Sequence, residues 1–262
     1  MAERRFSRNL PSPLVVAHRG ASVDRPENTV AAFDAAVRAG ADAVEFDVRM
    51  SVDGHAVVMH DPWVDRTTEG TGLVRDLTLA QIKRLRIRSS SDEPAEVPTL
   101  AEALTLLSGR VAVDVEIKNL PSEPDHEADL ERAVEATLRA LDDAAFVGPV
   151  LISSFNPRSL ARSREIDPAL PTGLLALEAM PLDDALALAT VGGHGWVLPA
   201  AGAVLAAGRA LVARAHEAGL RVGTWIVDDP DIASRLASWD VDAVATNDPV
   251  RVVPAVRGTI PS

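Results

Sequence analysis

The sequence predicts an α/β fold, a TIM-type (β/α)8 barrel, on three observations. Short runs rich in β-branched residues alternate with Ala- and Leu-rich stretches along nearly the whole chain, the pattern of strands and helices around a parallel sheet. Eight such runs occur, and the length of 262 residues suits one barrel of roughly 250 residues. Polar residues follow several of these runs where a strand would end. A doubly wound sheet gives the same alternation, so the pattern alone leaves both architectures open.

The predicted elements are as follows, in chain order. The strands are Leu14–Ala17, Ala43–Asp47, Val111–Ile117, Val150–Ser153, Thr172–Ala176, Trp196–Leu198, Val222–Val227 and Asp242–Ala245. The helices are Thr29–Ala39, Thr78–Leu85, Thr99 to about Gly109, Glu127–Leu141, Pro157–Arg164, Leu182–Thr190, Val204–Ala218 and Asp231–Ser238. The helix at Thr99 begins with capping-box spacing, because Glu102 stands three residues later.

A ninth apolar run, Ala56–Met59, does not fit a parallel barrel. It follows Asp53-Gly54, a two-residue hairpin turn, so we expect it to run antiparallel to Val48–Val52. An unbulged hairpin would place His60 opposite Asp47. Residues 61–98 are then a small insertion between strands 2 and 3, and residues 1–262 form a single barrel domain.

Composition and charge exclude several classes of function. Hydrophobic residues make up 47% of the chain, which is enough for a large core, and there is no cysteine, which excludes disulfides, thiolate nucleophiles and Cys-ligated zinc. A net charge of −12 argues against nucleic acid or an anionic membrane as partner. The apolar run after the basic segment Met1–Pro13 is too short for a signal peptide, and no run could span a membrane. We therefore expect a cytoplasmic protein without stable membrane insertion; the oligomeric state is left open.

Three carboxylates follow neighbouring predicted strands. Glu45 and Asp47 are two residues apart, so a regular strand points both to one face, and Glu116 ends the next barrel strand. Converging carboxylates repel each other unless a cation lies between them. Oxygen-only ligation favours a hard ion, so we expect one divalent cation, Mg²⁺ or Ca²⁺, on these three residues.

Histidines and basic residues border the same acidic cluster. His18 and His60 each follow a predicted strand, and histidine exchanges protons near neutral pH, so both are expected to be catalytic. Arg19 and Lys118 supply positive charge suited to a phosphoryl group, and Gly20 allows a tight turn. This set predicts metal-assisted phosphodiester hydrolysis, although metal-dependent aldol or isomerase chemistry on a phosphorylated sugar would use the same residue types.

Across nearly the whole chain, from about Leu14 to Pro249, an ordered set of motifs resembles the glycerophosphodiester phosphodiesterase family. The motifs are His18-Arg19-Gly20, Pro26-Glu27-Asn28-Thr29, Glu45-Phe46-Asp47-Val48, Asp53-Gly54 leading to Val57-Val58-Met59-His60-Asp61, Arg66-Thr67-Thr68-Glu69-Gly70, Pro98-Thr99-Leu100, Glu116-Ile117-Lys118, Ser154-Phe155 and Trp225. Any one triplet is weak evidence, but the ordered set is specific.

The resemblance implies a barrel enzyme that hydrolyses deacylated phospholipids, such as glycerophosphocholine or glycerophosphoethanolamine, to sn-glycerol 3-phosphate and an alcohol. It also implies roles for the site residues. The general acid and base would be His18 and His60, the metal ligands Glu45, Asp47 and Glu116, and the phosphate ligands Arg19 and Lys118. Trp225 is balanced between filling the barrel and forming an apolar wall for the glycerol. Initial attack by the glycerol 2-hydroxyl, through a cyclic phosphate, is compatible with the same resemblance.

Two alternatives stay open beside this function. A lysophospholipase D or sphingomyelinase-D-like phosphodiesterase is a neighbouring class, although its secreted members use disulfides and an apolar rim. A non-catalytic phosphate- or metal-binding barrel is a different class, against which the complete set of histidines and carboxylates argues.

The chain departs from the family pattern at two positions. The family usually has Trp-x-x-Asn on the seventh strand, where this chain has Asp228, and Thr-Asp-x-Pro near the end, where this chain has Asn247. We expect the charge of Asp228 at the barrel mouth to favour a cationic head group over an anionic one. Asp61 is expected to orient His60 or to stabilise its loop rather than to bind metal. Asn28 or Thr29 is expected to cap the first helix, with contact of Asn28 with the substrate as the alternative.

Overall fold

The computed structural model describes residues 11–89, 95–128 and 130–258, and within these ranges it contains one nine-stranded sheet. Part of the basic N-terminal segment and part of the predicted insertion lie outside them. The strands are β1 (Leu14–His18), β2 (Ala43–Met50), β3 (Ala56–Val58), β4 (Ala112–Ile117), β5 (Val150–Ser154), β6 (Thr172–Ala176), β7 (Trp196–Pro199), β8 (Arg221–Thr224) and β9 (Ala243–Thr246).

Eight parallel strands close into a barrel, and β3 joins the sheet from outside. The strand order is β1-β9-β8-β7-β6-β5-β4-β2-β3, and β1 also pairs with β2. The closing pairs include Val16 with Ala43 and Leu14 with Ala243. The predicted TIM-type barrel is therefore confirmed, and a doubly wound sheet is excluded because the sheet has no gap between β1 and β2. Within the described ranges, no helix has both the length and the apolar character needed to cross a bilayer.

Helices cover the outside of the barrel, and most were predicted to within a few residues. They are α1 (Val30–Arg38), α2 (Leu79–Ile82), α3 (Leu100–Leu107), α4 (Arg132–Asp143), α5 (Pro157–Ile166), α6 (Leu182–Val191), α7 (Ala201–Ala207), α8 (Arg209–Glu217), α9 (Pro230–Ala237) and α10 (Pro249–Arg257). The single predicted helix 204–218 is wrong, because Gly208, at φ +72°, separates α7 from α8. Helix α10 was not predicted; it contains Pro254, which obscures the helical pattern.

Alternation along each strand divides the side chains into two layers. In β1, Val15 and Ala17 face the helices, whereas Val16 belongs to a separate cluster inside the barrel. The outer layer is the larger core, and the inner cluster is filled by residues such as Leu151 and Trp196. Polar side chains such as Glu45 and Glu116 follow the inner residues Ala43 and Ala112 toward the carboxyl ends of the strands, where the site lies.

The hairpin after β2 has a different register from the predicted one. Val48 pairs with Val58 and Met50 with Ala56, so Asp47 stands opposite Met59 and not His60. The amide of Met59 accordingly donates to the Asp47 carbonyl at 3.0 Å. The turn has three residues, 52–54, and ends with Gly54 in the left-handed region at φ +82°. A three-residue loop shifts every cross-strand pair by one residue relative to a two-residue turn.

The insertion between β2 and the third barrel strand has a small apolar cluster of its own. It comprises Val57, Met59, Val64, Val74, Ile82, Ile87 and Val97. The predicted helix 78–85 is present as the shorter α2, which begins with a capping box between Thr78 and Gln81. The cluster fixes the insertion beside the end of β2, next to His60.

The loop after β1 depends on Gly20. Its φ of +85° is left-handed, and a Cβ at this position would lie 2.6–2.7 Å from the backbone and Cβ of Ala32 in α1. The amide of Ala21 donates to the Ala32 carbonyl at 3.0 Å, which holds the loop against the helix. Only glycine permits both the backbone conformation and this close approach.

We expect Gly20→Ala to destabilise the protein more than the control variant Gly219→Ala. Gly219 is also left-handed, at φ +77°, but nothing lies within 4 Å of a Cβ added there. Conformational strain alone costs roughly 1 kcal/mol at either position, and displacement of α1 adds about 1–3 kcal/mol at Gly20. Urea unfolding of both variants measures the difference, and equal destabilisation would contradict the close-approach argument.

Candidate active site

Three buried carboxylates meet at the carboxyl end of the barrel. One oxygen each of Glu45, Asp47 and Glu116 lies within 4.8 Å of the others. Glu45 and Asp47 point inward from β2, and Glu116 points inward from β4, where it is the direct neighbour of Asp47. The two-residue spacing and the parallel register therefore bring together the three acids that the sequence predicted.

Burial and mutual repulsion govern the charges of this cluster. Burial, reinforced by Asp47 and Glu116, raises the pKa of Glu45 well above its usual range. Burial also raises the pKa of Glu116. Burial alone would raise the pKa of Asp47 as well, but the charges of Lys118 and Arg19 lower it overall. Asp47 is thus the carboxylate most firmly held in its charged form.

Lys118 is the main internal counter-charge. Its ammonium nitrogen lies 2.5 Å from Oε1 of Glu116 and 3.1 Å from Oδ1 of Asp47. Both are ion-pair contacts, and neither oxygen accepts a well-directed hydrogen bond. Burial alone would lower the pKa of Lys118, but the two acids raise it. Lys118 therefore stays charged although its side chain is 4% exposed.

The cluster has the properties of a site for a hard cation. Oε1 of Glu45 is buried without a hydrogen-bond partner, and the three carboxylates present only oxygen donors. A divalent cation would replace the proton that burial favours on Glu45, and it would relieve the repulsion among the acids. The residues present therefore fit such an ion.

His18 lies at the end of β1 on the rim of the cluster. Its Nδ1 is 2.7 Å from Oδ1 of Asn247, and its Nε2 is 4.0 Å from Oε2 of Glu45. Burial and the adjacent Arg19 charge lower the pKa of His18 to about 4. The ring is thus neutral near pH 7, with Nε2 toward the acids.

His60 is held on both its backbone and its ring. Its Nδ1 is 2.6 Å from Oδ1 of Asp61, as expected for a residue that orients the ring. Burial alone would raise the pKa of Asp61, but hydrogen bonds from Arg66 and His60 lower it to about 2. The carbonyl of His60 accepts from Nε and Nη2 of Arg49 at 2.7 and 2.6 Å. Burial lowers the pKa of His60 too.

Arg19 connects the acidic cluster to the insertion. Its Nε lies 3.3 Å from Oδ2 of Asp47, and its Nη1 donates to Glu27 at 3.0 Å. Glu27 also accepts two hydrogen bonds from Arg66 of the insertion. The neighbouring Asn28 donates to Asp47 at 2.8 Å, and Thr29 is the residue that caps α1.

A cavity of about 590 Å³ opens over these groups. His18, Arg19, His60 and Lys118 contribute to its polar side. Much of the remaining lining is apolar and includes Leu120, Phe155, Leu177, Trp196, Leu198, Trp225 and Ile226. The indole of Trp225 donates to the Leu198 carbonyl at 2.8 Å and lies edge-on to Phe155. Trp225 therefore both packs into the barrel end and forms part of the cavity wall.

Sequence reasoning missed three residues that act on this site. Asp114 is a fourth buried acid, two residues before Glu116 on the same strand face, and burial raises its pKa to about 7. That spacing, the same as between Glu45 and Asp47, could have revealed it. Arg49 has a fully buried side chain, ion-paired with Glu123 and Asp125 as well as bonded to His60. The third is Asn247, which contacts the His18 ring and was identified from the sequence only as a departure from the family pattern.

The expected head-group role of Asp228 has no support in its contacts. Its Oδ1 accepts hydrogen bonds from Thr246 and Asn247, and its Oδ2 accepts one from Asn247. Among the described residues, those that line the cavity do not include Asp228. Its hydrogen bonds thus direct its charge at the loop after β9.

The chain matches the model of the glycerophosphoryl diester phosphodiesterase family over residues 18–251. It belongs to this family. A glycerophosphodiester phosphodiesterase from Caldanaerobacter subterraneus is 35% identical over 254 residues, covering 93% of this chain and 98% of the relative. Membership confirms the family predicted from the motifs.

Solved structures of the family agree with the fold. The putative glycerophosphoryl diester phosphodiesterase of Silicibacter pomeroyi superposes with a TM-score of 0.84 at 28% identity, covering 98% of this chain and 96% of that one. An Oleispira antarctica phosphodiesterase, solved in complex with the product sn-glycerol-3-phosphate, has a TM-score of 0.81 at 26% identity, with 94% and 97% covered. The chain is thus a phosphodiesterase of glycerophosphodiesters, and the non-catalytic alternative is wrong.

Proposed function

We propose that this phosphodiesterase hydrolyses deacylated phospholipids such as glycerophosphocholine or glycerophosphoethanolamine to sn-glycerol 3-phosphate and the free alcohol, with His18 and His60 as proton carriers. One observation carries the proposal: both histidines border the same cavity as the buried acidic cluster and two basic side chains. The Oleispira relative, with sn-glycerol-3-phosphate bound as product, supports the assignment of that half of the substrate.

Arg19 and Lys118 are the proposed phosphate ligands. Each has a nitrogen near Asp47, at 3.3 and 3.1 Å, so the two cations border one space from different strands. A phosphodiester bound there would accept charge-assisted hydrogen bonds, which strengthen as negative charge moves onto its oxygens. Trp225 would then contact the apolar face of the glycerol from the apolar part of the cavity wall.

Glu45, Asp47 and Glu116 are the proposed ligands of one divalent cation, Mg²⁺ or Ca²⁺. When bound, such an ion supplies positive charge to the phosphate oxygens and favours ionisation of a hydroxyl next to it. The unpartnered oxygen of Glu45 and the raised pKa of that residue support a cation at this place.

The two histidines divide the proton transfers. The Nδ1 atoms of His18 and His60 are each engaged by a side-chain oxygen, of Asn247 and Asp61 respectively. Nε2 is therefore the nitrogen of each ring that remains for the substrate. One ring, neutral at Nε2, takes a proton from the hydroxyl whose oxygen bonds to phosphorus. The other ring, protonated on both nitrogens, gives its Nε2 proton to the alcohol oxygen as the bond from that oxygen to phosphorus breaks.

We expect purified protein with Mg²⁺ or Ca²⁺ to release glycerol 3-phosphate from glycerophosphocholine, and His60→Ala to lower kcat by roughly 10²–10⁴-fold. His55→Ala is the control, because His55 is exposed at the tip of the same hairpin. A coupled assay for glycerol 3-phosphate measures both. Unchanged kcat in His60→Ala would rule out the acid–base assignment even if the substrate is correct.

Metal binding is expected to stabilise the fold independently of turnover. Either ion at about 100 times its Kd would add roughly 2.7 kcal/mol to the free energy of unfolding. This gain would be measured as a higher Tm that a chelator reverses. Glu45→Gln should abolish the increase, because it removes one charged ligand, whereas Glu69→Gln, an exposed acid of the insertion, should retain it. An increase that survives in Glu45→Gln would place the ion elsewhere.

A second candidate activity is that of a lysophospholipase D or sphingomyelinase-D-like enzyme. The apolar cavity wall favours it, since Leu177 and Ile226 on that wall are 58% and 38% exposed and could contact an acyl chain. The proposed function predicts that kcat/KM for glycerophosphocholine exceeds that for lysophosphatidylcholine by at least about 10-fold. The reverse order, together with selective loss of the lysolipid activity in Leu177→Ser, would favour the second candidate.

A further inference from the structure

Asp228 makes three hydrogen bonds with the loop that follows β9. Its Oδ1 accepts from the backbone N–H of Asn247 at 2.7 Å and from the Thr246 hydroxyl at 2.9 Å. Its Oδ2 accepts from Nδ2 of Asn247 at 2.8 Å. The carboxylate therefore binds Asn247 through both its backbone and its side chain.

These contacts determine which way the Asn247 amide faces. A carboxylate only accepts hydrogen bonds, so the side chain of Asn247 must turn its NH₂ group toward Asp228. Its Oδ1 then faces the other way, where it accepts from the Ser22 hydroxyl at 3.0 Å and lies 2.7 Å from Nδ1 of His18. An oxygen cannot donate, so the proton of that contact is on Nδ1 of His18.

We infer that Asp228 is a positioning residue for the reaction: acting through Asn247, it holds His18 in the tautomer protonated on Nδ1, with the lone pair of Nε2 facing the carboxylate cluster. The inference rests on the proposed function in so far as His18 exchanges its proton at Nε2. In this tautomer Nε2 can accept a proton and has none to donate until it has accepted one.

A purely structural role for Asp228 makes different predictions. If the carboxylate only stabilised the loop after β9, any residue that kept the loop folded would serve equally. If Asp228 sets the tautomer of His18, activity depends on which of the side chains at positions 228 and 247 donates the hydrogen bond between them. The two roles can be separated, because an amide and a carboxylate have nearly the same shape but different donors.

The test begins with Asp228→Asn. With its oxygen still accepting from the Asn247 backbone, the new NH₂ group would face the Asn247 side chain, which must then rotate to present its oxygen. The rotated amide offers NH₂ to His18, and this favours the tautomer protonated on Nε2. We expect kcat to fall by roughly 10²–10⁴-fold, as for a histidine held in the wrong tautomer, with a small change in KM.

The exchange variant Asp228→Asn/Asn247→Asp should recover activity. In this variant the side-chain amide at position 228 donates to the carboxylate at position 247. That carboxylate accepts from Nδ1 of His18, which restores the native tautomer. We expect kcat within about 10-fold of the wild type. Thr246→Val is the matched control: it removes one donor to Asp228 without altering the amide, so it should lower stability and keep the tautomer.

Nitrogen-15 NMR of the imidazole rings in metal-free protein reads the tautomer directly, with the His18 signals assigned by their absence in His18→Gln. The inference is overturned if His18 stays protonated on Nδ1 in the Asp228→Asn variant. It is also overturned if the exchange variant folds but keeps the low kcat of Asp228→Asn. Full activity in His18→Gln would instead contradict the proposed function, while the tautomer measurement would still test the role of Asp228.

Discussion

The burial of three carboxylates within 4.8 Å of one another is the constraint on which the rest of the site depends. Charges removed from water repel strongly, so such a cluster persists only if positive groups or donors surround it. The structure supplies them from separate elements: Lys118 from the end of β4, Arg19 from the loop after β1, and Asn28 from the turn before α1. All three contact Asp47, which is fully buried, whereas among the described residues Oε1 of Glu45 has neither a hydrogen bond nor a basic side chain against it. An excess of buried negative charge of this kind fits a site for a cation.

The same strand that supplies two acids also helps to position His60, one of the two histidines proposed to be catalytic. Glu45, Asp47 and Arg49 are successive residues on one face of β2, where strand alternation repeats every second position. The first two face the cluster, and Arg49 binds the carbonyl of His60 across the hairpin while pairing with two acids of the loop after β4. The position of His60 therefore depends both on this buried guanidinium and on the hairpin, in which Met59 donates to Asp47.

How far the sequence predicts this molecule depends on the range of the interaction concerned. Strands, helices and the carboxylate cluster follow from periodicity and strand ends, which are local properties. The predicted hairpin register was wrong because the turn has three residues and ends with the left-handed Gly54. The predicted helix 204–218 was wrong because Gly208 interrupts it. The role of Asn247 could not be predicted, because it joins residues 229 positions apart and depends on which end of an amide faces a carboxylate. Patterns in sequence do not encode that orientation.

The two histidines differ in the partner that each ring has, and the acidic cluster explains the difference. His60, 30% exposed, has the carboxylate of Asp61, whose charge is shared with Arg66. His18 is more buried, at 12% exposure, and already lies 4.0 Å from Glu45. A carboxylate directly on Nδ1 of His18 would add another negative charge beside three buried acids. With the side-chain amide of Asn247 on Nδ1, the ring has a partner that orients it, while the charge of Asp228 stays on the far side of Asn247.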